Sequence, residues 1–334
     1  MKRVLVTGAT GGLGRNAVQA LLGKGVQVRA SGRNLEIGAE LAASGAQFVA
    51  LDLTVATPDQ MAALVVGVDA VWHCAALSAP WGRLADFTAI NVEACTRLLD
   101  AAGQAGVARF IHISTSAIYF DYRHRREVDE GFRPGRYANA YAASKAAAEL
   151  RVHDAVRLYP TMVSVILRPR AMFGPHDRAL IAPLERTLDL RGGRLPLPRG
   201  GRVTLDLTYV DNVVHAMWLS TLKSALPSGS VFNITNHEPV LLRDLLQMLF
   251  ADALQRPLSI SRRPYWLMAA AARWAQLRAR AGGKEPALTA YGVGALGFDT
   301  TLDNMKAKYL LGYVPPVSLA EGVRLTAEWM RGYR

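Results

Sequence analysis

The sequence predicts an α/β chain: a doubly wound parallel sheet followed by a smaller, partly interleaved C-terminal domain. Three observations lead there. Short β-branched runs alternate with helix-length segments through the first half, a glycine-rich turn joins the first run to the first helical segment, and Gly and Pro become dense after Pro169.

The runs are Arg3 to Val6, Val26 to Ala30, Phe48 to Leu51, Ala70 to His73, Phe110 to Ser114 and Val163 to Leu167. Each is apolar on both parities, as parallel strands covered on both faces require, and right-handed crossovers would join them. Helical periodicity is clear from Gly12 to Gly23, from Ala85 to Ala105 and from Asn139 to Leu158. Beyond Arg168-Pro169, the pairs Gly174-Pro175, Gly192-Gly193 and Gly200-Gly201 read as loops between short strands. A helical pattern from Tyr209 to Thr221 and an apolar run from Val231 to Ile234 suggest that the chain returns to the first sheet.

Composition narrows the class. The chain has 334 residues, 51% of them hydrophobic, enough for two modest cores. Cys74 and Cys95 are too few for a disulfide framework and lack the spacing of a zinc site, so no metal is expected. A strand beginning at Arg3 leaves no room for a signal peptide, and no window approaches the roughly 18 apolar residues of a spanning helix. A cytoplasmic location is expected. The net charge of +12 includes clusters at Arg123, Arg125, Arg126 and at Arg262, Arg263. No nucleic-acid module accompanies them, so they read as solvated surface or as attraction for a phosphate or carboxylate.

The glycine-rich turn, Thr7-Gly8-Ala9-Thr10-Gly11-Gly12-Leu13-Gly14, lies between strand and helix. Gly8 permits the tight turn, Gly11 lets the backbone approach a pyrophosphate, and Gly14 lets helix and strand pack closely. Free N–H groups at the helix start favour the anion. Thr10, Gly12 and Leu13 complete this candidate dinucleotide site. At the end of the second strand, Ala30-Ser31-Gly32-Arg33-Asn34 offers no carboxylate for a ribose 2′-hydroxyl, whereas Arg33 can pair with a 2′-phosphate. NADP is therefore expected, with NAD as the alternative, and Asn34 joins the binding stretch.

Tyr141 and Lys145 stand four residues apart, on one helix face. An ammonium there would lower the phenol's pKa toward the working range of a general acid or base, and could hold the cofactor's ribose. Upstream, the fifth strand ends in Ser114-Thr115-Ser116, at the carboxyl edge where open sheets bind ligands. Thr115 is the candidate to bind a substrate oxygen.

Together the glycine turn, the hydroxyl-tipped strand and the Tyr/Lys helix resemble the extended short-chain dehydrogenase/reductases, over most of the chain. The resemblance implies a Rossmann sheet with Thr115, Tyr141 and Lys145 as catalytic residues. It also implies cofactor contacts from Asp52-Leu53 near the adenine, from Ala75-Ala76-Leu77 after the fourth strand, and from Arg168-Pro169 beside the nicotinamide. Asn91 resembles the family's structural Asn. Gly32 departs from the Asp of NAD-using members.

On this reading residues 1–168, with a return around 206–235, bind the dinucleotide, while 169–205 and 236–334 bind substrate. The segments Ala287-Leu288-Thr289, Phe298-Asp299, Lys306 to Pro315 and Ser318 to Gly322 resemble the 3β-hydroxysteroid dehydrogenase-like branch. That branch implies interconversion of a secondary alcohol and a ketone on a hydrophobic, steroid-like or β-keto acyl, substrate. The rivals are a sugar-nucleotide epimerase or dehydratase, and a non-catalytic NADP-binding sensor or scaffold.

The resemblance also implies a homodimer. Pro264 to Ala281, with Trp266, Leu267, Met268, Trp274 and Leu277 on an apolar face and Arg273, Arg278 and Arg280 elsewhere, reads first as core or subunit packing, then as a lid over a lipophilic substrate or as a peripheral membrane contact. Trp81, Met172 and Phe173 are candidate pocket walls. His73, His112, His176 and His215 read as isolated structural residues, with His176 nearest the expected cleft.

Overall fold

Seven of the apolar runs pair into one parallel sheet in the computed structural model, which describes residues 2–282, 286 and 288–332. Ala287 lies outside these residues, as do the side chains of Arg280 and Ala281. The strands are β1 (Arg3–Thr7), β2 (Gln27–Gly32), β3 (Gln47–Ala50), β4 (Ala70–His73), β5 (Arg109–Ile113), β6 (Val163–Pro169) and β7 (Ser230–Ile234). Their order is β7-β6-β5-β4-β1-β2-β3. The order turns back between β1 and β4, so the loops leaving those two strands diverge and open a crevice at the carboxyl edge.

Helices α1 (Gly12–Gly23), α2 (Leu35–Ala43), α3 (Pro58–Val65), α4 (Ala94–Gln104), α5 (Ala140–Leu158) and α6 (Val210–Leu222) flank the sheet. The apolar residues of both parities are explained by two cores. Val4, Val6, Ile111 and Val165 face α1 and α6 through Leu21 and Met217, while Leu5, Val71, Phe110 and Ile166 face α3, α4 and α5 through Leu64, Leu98 and Val152. The helix expected from Ala85 to Ala105 is interrupted by a π-helical stretch, Thr88–Glu93, which carries the buried Asn91.

A third core gathers Leu195, Leu205, Leu245, Leu249 and Val323 beyond β6. Above it a four-stranded sheet joins Val240–Leu241, Thr204–Leu205, Thr300–Leu302 and Arg125–Val128. Interleaving thus runs both ways: β7 returns to the large sheet, and Arg125–Val128 leaves the first half to join the small one.

The apolar face of the helix Tyr265–Gly282 is not packed into the core of this chain, which leaves packing against a second subunit, a substrate lid and a membrane contact as its readings. Among its described side chains only Ala269 and Ala272 of the apolar residues are buried, whereas Trp266 and Trp274 are 70% and 68% exposed and Leu267 and Leu277 are exposed beside them. Among the described residues no helix is long and apolar enough to cross a membrane.

Candidate active site

The turn between β1 and α1 is shaped by what its glycines touch. Gly8 takes a φ of +65°, and a Cβ there would lie 2.6 Å from Ala75 N; a Cβ on Gly14 would overlap the Gly8 carbonyl. Gly11 N donates to Gly8 O at 2.9 Å, and no side chain caps α1. The first-turn N–H groups are left to an anion, and the cradle fits a dinucleotide pyrophosphate. Gly12 has a different neighbour: a Cβ there would sit 2.7 Å from His176 O. Asn16 Nδ2 also donates to Pro175 O at 3.0 Å, so the turn through His176 is held over the start of α1. The Leu13 side chain packs between two cores.

At the other end of the crevice Thr10 fills the space over Gly32, where a Cβ would lie 2.7 Å from Thr10 Cγ2. A side chain at position 32 would require Thr10 to move aside. Arg33 is 68% exposed and its Nη1 lies 3.5 Å from Asp52 Oδ2. The Thr54 hydroxyl, bonded to Asp52 at 2.7 Å, is the first cause that holds this carboxyl below its ordinary pKa, and Arg33 assists. Two expected contacts take structural duties instead. Asn34 Oδ1 caps α2 by accepting from Ile37 N at 2.9 Å, and Leu53 is buried in the second core.

Asn139 caps α5 by accepting from Ala142 N, which starts the helix just before Tyr141. Ser78 and Thr115 stand near enough to the Tyr141 hydroxyl to draw its pKa down. Ser78 was not singled out from the sequence, although it directly follows Ala75-Ala76-Leu77. Asn91 ties these parts together. It accepts from Leu77 N at 2.7 Å, donates to Leu77 O at 3.1 Å and donates to Ser144 Oγ at 2.9 Å, stitching the loop after β4 to the Tyr141 helix.

Burial pushes the Tyr141 phenol above its ordinary pKa, against the pull of Ser78 and Thr115. The expected lowering by Lys145 is corrected here, because the ammonium is aimed at the sheet: Nζ donates to Ile113 O at 2.7 Å and to His112 Nε2 at 3.1 Å. Lys145 itself is brought down to about 8 by burial.

The histidines are not isolated. Register pairs Thr7 with His73 and His73 with His112, and Thr7 Oγ1 bonds His73 Nδ1 at 2.8 Å. Cys95 Sγ lies 3.7 Å from His112 Nδ1, so His73, Cys95 and His112 converge beneath Lys145. The adjoining ammonium and a thiol pushed up by burial to about 12 oppose a cation there, and the set serves as a hydrogen-bonded floor for Lys145.

The expectation for Arg168 is also corrected. Its side chain is fully buried and turned from the crevice: Nε and Nη2 grip Glu149, and Nη1 donates to Tyr119 OH at 2.6 Å and Glu130 O at 2.9 Å. Only its backbone and Pro169 remain at the strand end.

Comparison with known proteins agrees with this geometry. The model of the NAD dependent epimerase/dehydratase family matches residues 4–235. The chain belongs to that family. Among curated relatives, this epimerase/dehydratase family member is 45% identical to the uncharacterized protein YbjS of Escherichia coli K12, over 99% of this chain and 98% of that one. It is 33% identical to a 4-hydroxy-2-methyl-3-oxo-4-farnesyl-3,4-dihydroquinoline-1-oxide ketoreductase of Stigmatella aurantiaca, over 96% and 94%. It is 32% identical to a 2-alkyl-3-oxoalkanoate reductase of Stenotrophomonas maltophilia, over 96% and 97%. In fold, it superposes on the UDP-glucuronic acid 4-epimerase of Bacillus cereus with a TM-score of 0.79 at 23% identity, covering 99% and 100% of the two chains.

Family membership directs attention to the walls beside Tyr141. Phe120 lies 4.9 Å from Tyr122 and 5.6 Å from Tyr291 between ring centroids, and Tyr265 lies 4.9 Å from Phe298. The helix Tyr265–Gly282 is thus rooted on these aromatic rings. Met172 and Phe173 continue the strand end, with Phe173 buried in the third core, while His176 rests on Trp329 at 5.1 Å.

Proposed function

We propose that the chain is an NADP-preferring ketoreductase that interconverts a secondary alcohol and a ketone on a lipophilic substrate. The observation that carries the reading is the grouping of the Tyr141 hydroxyl with Ser78 and Thr115, which both act on its pKa, at the carboxyl edge of the sheet that also bears the glycine cradle. The bound nicotinamide supplies the hydride. Ser78 and Thr115 hold the carbonyl oxygen, Tyr141 delivers the proton from its hydroxyl as that oxygen gains charge, and Lys145, with two of its three N–H groups on Ile113 O and His112, has the third for the ribose. The filled space at Gly32 and the exposed Arg33 support NADP over NAD. The aromatic walls, and the keto substrates in the names of two relatives, support a lipophilic ketone. Residues 169–205 and 236–334 form the substrate side.

The test is NADPH oxidation against a panel of 3-oxo acids, 3-ketosteroids and long-chain ketones. Tyr141→Phe is expected to lose about 10²- to 10⁴-fold in kcat while NADPH binding stays intact. No turnover by the wild type on any ketone, together with tightly retained cofactor, would sink the reading in favour of an epimerase or dehydratase.

A further inference from the structure

Arg170 occupies a position that folding alone does not explain. Ile113 pairs with Leu167 across β5 and β6, which sets Thr115 level with Pro169 and makes Arg170 the next residue out, on the edge that carries the site. Its backbone is held on both sides: N donates to Ile234 O at 3.1 Å, and O accepts from Thr208 Oγ1 at 2.6 Å. Ala171 then turns the chain away with a φ of +40°. The root of the side chain is therefore fixed.

Arg170 is partly buried, and one donor of its guanidinium is withdrawn from water without being satisfied. Its Nε is buried and has no hydrogen-bond partner, and burial lowers its pKa from the ordinary arginine value. The charge that reaches it comes from Asp206 and Tyr291. Asp206 accepts from Leu302 N at 2.7 Å through Oδ2, and among the described residues it makes no ion pair within 4.0 Å of Arg170. Tyr291, which packs edge-on against Phe120, feels both Arg170 and Tyr141, so the guanidinium, the proton donor and the aromatic wall share one neighbourhood.

A buried donor left idle is costly, and a fold that wanted only packing would be better served by an apolar residue. A guanidinium presents parallel N–H groups that match the two oxygens of a carboxylate. We propose that Arg170 binds a free carboxylate of the substrate, so that the site selects lipophilic keto acids whose carboxylate lies close to the reacting carbonyl. The assignment rests on the ketoreductase reading for its reaction, and on the unsatisfied guanidinium for its ligand.

The experiment compares a long-chain 2-alkyl-3-oxo acid with its methyl ester, using NADPH-loaded wild type, Arg170→Gln and Arg170→Lys after a thermal-unfolding check. The acid-over-ester ratio of kcat/KM is expected to fall about 30- to 100-fold in Arg170→Gln, mainly through KM, with Arg170→Lys in between and NADPH affinity unchanged. A wild type that reduces acid and ester alike, or equal losses on both in Arg170→Gln, would overturn the assignment; the wild-type comparison and Arg170→Lys decide it even if Arg170→Gln fails to fold. If neither ketone is reduced, calorimetry of the 3-hydroxy acid on NADP-loaded protein separates the two ideas. Binding lost in Arg170→Gln upholds Arg170 and sinks the ketoreductase reading, whereas no binding by the wild type sinks Arg170.

Discussion

Lys145, 1% exposed, carries its charge where charge is disfavoured, and the consequence is measurable as stability. Its pKa is lowered from 10.5 to about 8 in the fold, so between those values the unfolded chain keeps a proton that the folded chain releases. Stability attributable to this group therefore rises with pH across that window. The urea midpoint of wild type relative to Lys145→Met should move in the wild type's favour between pH 7 and pH 10; parallel behaviour would show that the buried ammonium is not disfavoured. Arg33 is tested by affinity: Arg33→Ala should weaken NADPH at least tenfold more than NADH in fluorescence titrations, since only NADPH has the 2′-phosphate. Equal losses would assign phosphate reading to another residue. The placements of Thr115, Tyr141 and Arg33 were legible because each follows from position along one element. Ser78, His112 and Arg170 were not, since their partners arrive through strand pairing and loop closure that no local spacing records.

Helix α5 and strand β6 are joined by the Glu149–Arg168 pair, with both oxygens of Glu149 engaged and Tyr119 and Glu130 sharing the arginine. Removing one partner leaves the other charged and buried, so Glu149→Ala should cost about 3–5 kcal/mol in denaturant unfolding. A loss below about 1 kcal/mol would mean that water reaches Arg168. This clamp also fixes where Tyr141 stands, because α5 carries both residues. Element limits were readable in the large sheet to within one or two residues, since burial on both faces leaves continuous apolar runs. Pairs such as Met172–Phe173 and Thr208–Tyr209 were not, because two-residue strands have no period. The π-helical turn was missed for a related reason: it keeps an apolar pattern while shifting Asn91 inward.

Across the whole molecule, one chain crosses between two sheets, with β7 returning to the first and Arg125–Val128 contributed to the second. The sequence text implied the return of β7, because an apolar run followed a helix; it did not imply the outward excursion, whose four residues are mostly polar. The shared construction couples the cradle to the substrate side, through the His176 turn on Gly12 and the strand end that bears Arg170. The two free thiols turn this arrangement into a clock. Cys95 is wholly buried at the floor of the sheet and Cys74 is partly buried beside the Gly8 turn, and burial raises both to about 12. Alkylation of Cys95 must wait for the sheet to open, whereas Cys74 reports on occupancy of the crevice next to it. With NADPH at one hundred times its Kd, Cys95 labelling should slow by about 100-fold as opening becomes that much rarer. A rate indifferent to NADPH would mean that the path to the thiol bypasses the cofactor side of the molecule.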